Sequence, residues 1–419
     1  MAQVANWLQY FETRYEKPIQ LGLSRIKAAV DTLSLHNLGI PVITVAGTNG
    51  KGSTVEALKA IYMAAGYQVG SYTSPHLFEF NERIKINNQC ISDKALIDIF
   101  KIIDAQSQQL TYFEVSTLAA LLYFKQHKLD VIILEVGMGG RLDATNCIDA
   151  DLAIITTIDL DHEAYLGHTV EAIGFEKAGI FRKNQHAIFA DLYPPQSILQ
   201  QAKINHIDLM VLNKDYHYQI KNKQFHFSSS KSKSITIPMP NIHPQALAAA
   251  MMVSIQLGCI LPVSMSEIQN SSQYIKLEGR RQWLNTAIPT LVDVAHNQQA
   301  ALSLAQYIQA LSIEGKVHAV FSSLQDKPLC GLIDTIHQQV DYWYITGLED
   351  ARAADKQQLI KACEYANTYA PATLYESPVA AYESAARASN SGDVMIVFGS
   401  FVLVSAVMRT TRFKQGEIS

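Results

Sequence analysis

The segment Ile43-Thr44-Val45-Ala46-Gly47-Thr48-Asn49-Gly50-Lys51-Gly52-Ser53-Thr54 constrains this chain more than any other. Its opening run of β-branched and small residues suits a strand buried on both faces, the pattern of a central parallel strand. Three glycines then turn the chain into a helical segment. They leave backbone N–H groups at a helix N-terminus, where an anion is favoured. Lys51 supplies positive charge for outer phosphates, and the Ser53 hydroxyl suits a bound Mg²⁺. Gly52 stands between the lysine and the hydroxyl residue, a departure from the commonest phosphate loop. A tight strand–helix turn would explain the glycines but not Lys51, so nucleotide binding is the preferred reading.

Similar apolar runs alternate with helical patterns along the chain, as in a parallel sheet covered on both faces. In the first half, strands are expected at 42–46, 69–73, 131–135 and 152–157, and helices at 54–65, 93–106, 115–126 and 170–178. From 204 to 240 the pattern shortens around a polar stretch, 221–234, which predicts a small antiparallel sheet or hairpin carrying a solvated loop. A second alternation follows Asn285, with strands at 290–295, 317–321, 342–345 and 394–398 and helices at 298–311 and 379–389. The expected architecture is α/β, and a chain of 419 residues exceeds a single core. A P-loop-type, mainly parallel sheet domain with a small appended antiparallel sheet would occupy 1–284. A smaller doubly wound, Rossmann-like domain would occupy 285–419.

The formal net charge of -4 provides no global positive field, so nucleic acid and anionic membrane are not expected partners. Any anionic substrate must meet a local basic site. Cys90, Cys147, Cys259, Cys330 and Cys363 lie far apart, which predicts reduced, buried thiols and neither a disulfide framework nor a thiolate metal site. Residues 1–11 lack a basic region followed by an apolar core, so a cytoplasmic protein is expected. The apolar stretch 394–408 is shorter than the roughly 20 residues a bilayer demands, and reads as a buried strand entering a buried helix.

Three further strings sit where strands should end, on the edge where open α/β sheets bind ligands. They are Ser74-Pro75-His76-Leu77, the run from Leu134 through Glu135 and Gly137-Met138-Gly139-Gly140 to Asn146, and Asp159-Leu160-Asp161-His162 with the later Glu176-Lys177-Ala178-Gly179. Mg²⁺ takes oxygen ligands from one or two carboxylates plus substrate phosphates, a role that suits Ser53, Ser74 and Glu135. Singly, each residue has an ordinary explanation. Glu135 could end a strand in a salt bridge, His162 could be a hydrogen-bonded loop residue, and Lys177 could lie on a helix surface. Their joint appearance favours a site.

Together with Thr111-Tyr112-Phe113-Glu114, Asp293-Val294-Ala295-His296-Asn297 and Phe398-Gly399-Ser400-Phe401, these strings resemble, in order, the motifs of the dihydrofolate/folylpolyglutamate synthase family of Mur-type ligases. The resemblance implies ATP-dependent ligation of L-glutamate to dihydropteroate and to folates through an acyl phosphate. It implies ATP contacts at Gly50, Lys51, Gly52, Ser53, Arg280, Asp293 and His296. It implies one Mg²⁺ at Ser53, Ser74 and Glu135 and a second at His162, with Lys177 carbamylated toward the metals. Lys51, Glu135, His162 and Lys177 would be the catalytic set. Pteroate or folate would meet Gln20, Leu21, Gly22, Leu23, Thr111, Tyr112, Phe113, Glu114, Leu142, Asp143 and Ala144. Closure of the second domain and a monomeric state are further implications.

The chain departs from the family pattern at three places. His243 stands where an ATP-contacting Asn is common, Ala164 where Asp is frequent, and Arg281 where Phe or Leu is usual. Two other readings compete. A Mur-type ligase for a peptidoglycan precursor is disfavoured because the phosphate loop begins within the first fifty residues, before any domain for a uridine nucleotide. A non-catalytic nucleotide-binding regulator is disfavoured by the intact Lys51, Glu135, His162 and Lys177.

Overall fold

In the computed structural model, residues 2–14, 20–106, 109–275, 277–365 and 370–414 are described. Their contacts divide the chain into two compact units, Met1–Lys276 and Leu277–Ser419. Strands of the first unit are β1 (Val42–Ala46), β2 (Val69–Tyr72), β3 (Ile84–Ile86), β4 (Gln89–Cys90), β5 (Val131–Glu135), β6 (Leu152–Ile155), β7 (His186–Phe189) and β8 (Asp208–Val211). They form one sheet in the order β4-β3-β2-β5-β1-β6-β7-β8. The strands β2, β5, β1, β6, β7 and β8 run parallel, while β3 and β4 return antiparallel at one edge.

All five residues of β1 and of β5 are buried, because helices cover both faces. Alternate side chains serve opposite cores. Ile43, Val45, Ile133 and Ile154 point to one face, and Val42, Ile132 and Leu134 to the other. The first face holds α3 (Lys51–Ala64), which follows α1 (Ala2–Thr13) and α2 (Ser24–Thr32) in the chain, and the alanine-rich helix Pro244–Gln256, whose small residues allow close approach to α3. The opposite face carries α4 (Asp93–Gln106) and α5 (Tyr112–Lys125), with α6 (Glu163–Leu166), α7 (Val170–Ala178) and α8 (Gln196–Ile204) toward β6 and β7.

The appended antiparallel sheet consists of β9 (Tyr216–Lys221), β10 (Gln224–Ser229) and β11 (Ser232–Pro238). This corrects the reading of 221–234 as a solvated loop. Phe225, Phe227, Ile235 and Ile237 are buried in the same core as Ile43, so the intervening Lys and Ser residues decorate the outer face of paired strands. The cysteines also need correction. All five are free thiols, but Cys90 and Cys259 are exposed, since each lies in an edge strand or a turn and not in a core.

The second unit holds β12 (Gln282–Leu284), β13 (Thr290–Asp293), β14 (Val317–Phe321), β15 (Tyr342–Thr346), β16 (Ala372–Tyr375) and β17 (Val394–Phe398), ordered β12-β13-β17-β14-β15-β16. Only β12 is antiparallel, and its backbone bonds to β13 place 282–284 in this unit, ahead of the expected division at 284. As expected, the buried β17 leads into a helix, Phe401–Lys414, which buries Leu403, Val404, Val407 and Met408 while its remaining residues before 409 are half-buried. Among the described residues no helix is long and apolar enough to cross a membrane.

Candidate active site

Four adjacent parallel strands, β2, β5, β1 and β6, end at one edge of the large sheet. After β1 the chain enters the glycine loop, with Gly47 at φ 148° and Gly50, the residue before α3, at φ 85°. The loop is fastened to the segment after β6. Thr48 N–H donates to Thr157 O at 2.8 Å, and Thr156 Oγ1 donates to Asn49 O at 2.6 Å. Asp159 N–H donates to Thr48 Oγ1 at 3.1 Å. Side-chain space at Gly47 is absent, since a Cβ would stand 1.8 Å from Thr156 Oγ1. Lys51 Nζ folds over the loop, donating to Gly47 O at 3.0 Å and Thr48 O at 3.1 Å. Loop amides, a helix N-terminus and an ammonium group thus converge, a setting suited to phosphate oxygens.

Glu135 closes β5, directly opposite Val45 of β1, and is 4% exposed. Its Oε2 accepts the Ser74 N–H at 3.1 Å, which ties the end of β5 to the loop after β2. A Cβ at Gly52 would lie 3.7 Å from Glu135 Oε2, so the first turn of α3 faces this carboxylate. Ser53, one residue on, is buried. Serine and carboxylate oxygens suit a hard divalent cation. Among the described residues no three of His, Cys, Asp and Glu gather into a cage, so a Mg²⁺ here would draw its remaining ligands from phosphate and water.

Lys177 is not the surface residue its helical position could suggest. It is 3% exposed, and burial, reinforced by the charge of Lys51, pushes its ammonium down to about 7 against the opposing influence of Asp161 and Asp143. Glycines allow α7 to approach. A Cβ at Gly140 would stand 2.9 Å from Glu176 O, and one at Gly179 would stand 2.3 Å from the Arg141 Cβ. Arg141 N–H donates to Glu176 O at 2.7 Å, and Arg141 Nη2 pairs with Glu176 Oε1 at 2.8 Å. His162 takes a left-handed backbone (φ 53°) before α6, with its side chain 38% exposed and Nε2 3.9 Å from Asp161 Oδ2.

The residues expected to meet an organic acid gather beside the same edge. Gly22 N–H donates to Leu142 O at 3.3 Å. Thr111 and Glu114 cap α5 reciprocally, Thr111 N–H donating to Glu114 Oε2 at 2.7 Å and Glu114 N–H to Thr111 Oγ1 at 3.3 Å. Arg25 joins these strings through Glu114 Oε1 at 3.1 Å and Gln20 O at 2.8 Å. A Cβ at Gly137 would meet the Phe113 ring at 2.3 Å, so that aromatic side chain lies on the glycine run. Asp143 accepts from Thr145 and Met138 amides and the Thr145 hydroxyl; burial raises its carboxyl pKa nonetheless. Leu21 and Leu23 are half-buried and Ala144 is buried. Sequence reasoning missed Arg25, whose partner Glu114 is distant in the chain.

In the second unit, Asp293 ends β13. Its Oδ2 accepts from Arg281 N–H at 2.9 Å and its Oδ1 from Ala295 N–H at 2.8 Å, and burial raises its pKa despite Arg280. The His296 ring lies 6.1 Å from that of Phe401, which the Arg280 guanidinium also faces at 5.5 Å. Arg281, unusual by family pattern, reaches Ser303 Oγ at 2.5 Å and lies over Tyr307, so it braces the helix Gln298–Gln309. His243 precedes Pro244 and makes no side-chain cap.

A glycine–lysine loop on a parallel sheet, a strand-end glutamate beside it and a second α/β unit define a Mur-type ligase. The model of the Mur ligase middle domain matches residues 45–249, and that of the Mur ligase glutamate ligase domain matches 279–401. The dihydrofolate synthase/folylpolyglutamate synthase of Haemophilus influenzae is 40% identical over 423 residues, covering 96% of each chain, and that of Escherichia coli is 38% identical over 97% of this chain and 94% of its own. E. coli FolC in complex with DHPP and ADP superposes with a TM-score of 0.93 at 37% identity, covering 98% of each chain. A bifunctional folylpolyglutamate synthase/dihydrofolate synthase with Mn, AMPPNP and L-glutamate bound gives 0.90 at 38% identity, covering 97% of each. The chain belongs to the dihydrofolate synthase/folylpolyglutamate synthase family.

Proposed function

We propose that this chain joins L-glutamate to the carboxylate of dihydropteroate and of folates, using ATP and releasing ADP and phosphate. The observation that carries the reading is the convergence of the Lys51 loop, Ser74 and Glu135 at one sheet edge, beside Lys177, in a chain with these relatives. A carboxylate does not condense with an amine at neutral pH. Its oxygen attacks the γ-phosphorus of ATP, ADP leaves, and an acyl phosphate results. The glutamate amine then attacks the acyl carbon and phosphate departs.

Gly50, Lys51, Gly52 and Ser53 are assigned to the ATP phosphates, where loop amides and the lysine stabilise charge on the transferring group. Arg280, Asp293 and His296 are assigned nucleotide contacts in the second unit. Two divalent cations, one with Ser53, Ser74 and Glu135 and one with His162 and a carbamylated Lys177, would neutralise phosphate charge. A lysine with a pKa of about 7 offers neutral amine to CO₂, forming an N–C bond and releasing a proton. The product is an anion where an ammonium would repel Lys51. Gln20–Leu23, Thr111–Glu114 and Leu142–Ala144 are assigned to the pteroate. The protein is taken to act as a monomer.

The test is an ADP-release assay with ATP and glutamate plus dihydropteroate, tetrahydrofolate or a uridine-linked peptidoglycan precursor. ADP release with the first two acceptors alone is expected. Release of AMP, or ADP release indifferent to acceptor, would overturn the proposal.

A further inference from the structure

The loop Ser74–Leu77 spans the phosphate half and the organic-acid half of the site. At one end, Ser74 N–H meets Glu135. Two residues on, the His76 ring is held by Arg83, whose Nε–H donates to His76 Nδ1 at 2.9 Å. Arg83 is 8% exposed. Its guanidinium carbon lies 5.3 Å from the centre of the Phe80 ring and 5.5 Å from that of Tyr112. Tyr112 belongs to the string that also carries Phe113, which rests on Gly137. One cation therefore touches the loop after β2 and the aromatic wall at the start of α5.

A simpler role, holding β3 against β2, is already filled by the backbone. Residues 70–72 pair with 84–86, and Thr73 N–H donates to Arg83 O at 2.9 Å. A buried guanidinium is costly unless acceptors and aromatic faces compensate it, and an apolar residue would fill the same space without that cost. Its planar donor fork is what an apolar or lysine side chain lacks. We propose that Arg83 is a positioning residue for the ligation: it locks His76 and the Ser74 loop against Tyr112, so that the carboxylate-bearing substrate and the phosphate loop share one frame. The inference rests on the proposed ligase function.

Arg83→Met, Arg83→Lys and Arg83→Ala are made in the full chain, with melting temperature as the control for folding. Affinity for dihydropteroate and for ADP is measured separately by calorimetry, and turnover by ADP release. In Arg83→Met, kcat should fall on the order of 100-fold, as for a displaced reacting group. Dihydropteroate binding should weaken while ADP affinity stays within about twofold of wild type, since the phosphate loop has its own fastenings. Lysine should not restore turnover, whereas added ethylguanidinium should partly restore Arg83→Ala. His76→Leu should reproduce the Arg83→Met loss if the arginine variants fold poorly. A folded Arg83→Met with wild-type kcat and dihydropteroate affinity overturns the inference, as does an equal loss of ADP affinity. Wild-type protein that binds dihydropteroate but releases no ADP counts against the ligase reading alone, because the affinity split still decides the role of Arg83.

Discussion

Substituting Gly47 by alanine tests how the phosphate loop is held. The backbone there has φ 148°, and the new Cβ would stand 1.8 Å from Thr156 Oγ1 and 3.0 Å from its Cβ. Such overlap cannot persist, so either the loop tilts away or Thr156 gives up its 2.6 Å bond to Asn49 O. A non-glycine residue in this region of backbone space costs about 1–3 kcal/mol. The lost hydrogen bond adds about 0.5–1.5 kcal/mol. The folded chain relieves this strain by displacing the loop, and nucleotide binding must then restore it. Since about 1.4 kcal/mol corresponds to tenfold in affinity, ADP should bind roughly tenfold to a thousandfold more weakly in Gly47→Ala. Calorimetry with ADP, alongside a thermal melt, measures this. Adding Thr156→Ala removes the obstructing hydroxyl but not the φ strain, so it should recover only part of the affinity. Gly47→Ala with wild-type ADP affinity and melting would refute the argument.

Glu135→Gln keeps an oxygen for the Ser74 amide but removes the charge, so kcat should fall on the order of 100–1,000-fold with little change in melting temperature; undiminished turnover would exclude a role in charge stabilisation. Lys177→Met should abolish ligation, and ¹³C-labelled bicarbonate should give wild-type protein a carbamate resonance that the variant lacks; the same resonance in both would place the modification elsewhere. In the second unit, Asp393 is held below its ordinary 3.8, chiefly by the Asn390 and Lys316 amides, with His318 also contributing. A depressed carboxylate stabilises the fold above pH 3.8 and loses that contribution as pH falls toward its lower folded value. Asp393→Asn should therefore lower the melting temperature by several degrees at pH 7, and the gap should close in acid; a gap that widens in acid would reverse the assignment.

The interior of the fold was legible because its strands are buried on both faces. Expected strands at 42–46, 131–135, 317–321 and 394–398 coincide with β1, β5, β14 and β17, all five-residue strands of continuous burial. Edge strands left no such trace. β4 is exposed throughout, and β16 is exposed at three of its four residues. The stretch 221–234 misled because its polar residues dominate composition, while the decisive signal was the alternation of Phe225 and Phe227 with their neighbours. In the site, the loop glycines and strand-end residues could be read locally. Arg25 could not, since 89 positions separate it from Glu114, and no periodicity joins residues across that span.

Strand order turns ordinary residues into a site. β1 lies between β5 and β6, so the chain leaves it toward β2 on one side and later returns to fill both flanks, which opens a crevice at the carboxyl ends. Positions 47–53, 74, 135 and 156–162 meet there because each ends or follows one of these strands. The same convergence creates an electrostatic problem, for it buries Lys177 within the field of Lys51. Asp161 and Asp143 offset part of that repulsion, although burial raises the Asp143 carboxyl pKa. The amine relieves the rest by losing its proton near neutral pH. A triphosphate bound over the Lys51 loop and the carbamate proposed on Lys177 would both supply negative charge where the fold has concentrated positive charge. Because Lys51 helps to depress the Lys177 ammonium, Lys51→Met should raise the pH at which Lys177 becomes neutral, and an unchanged titration would show that the two lysines are not coupled.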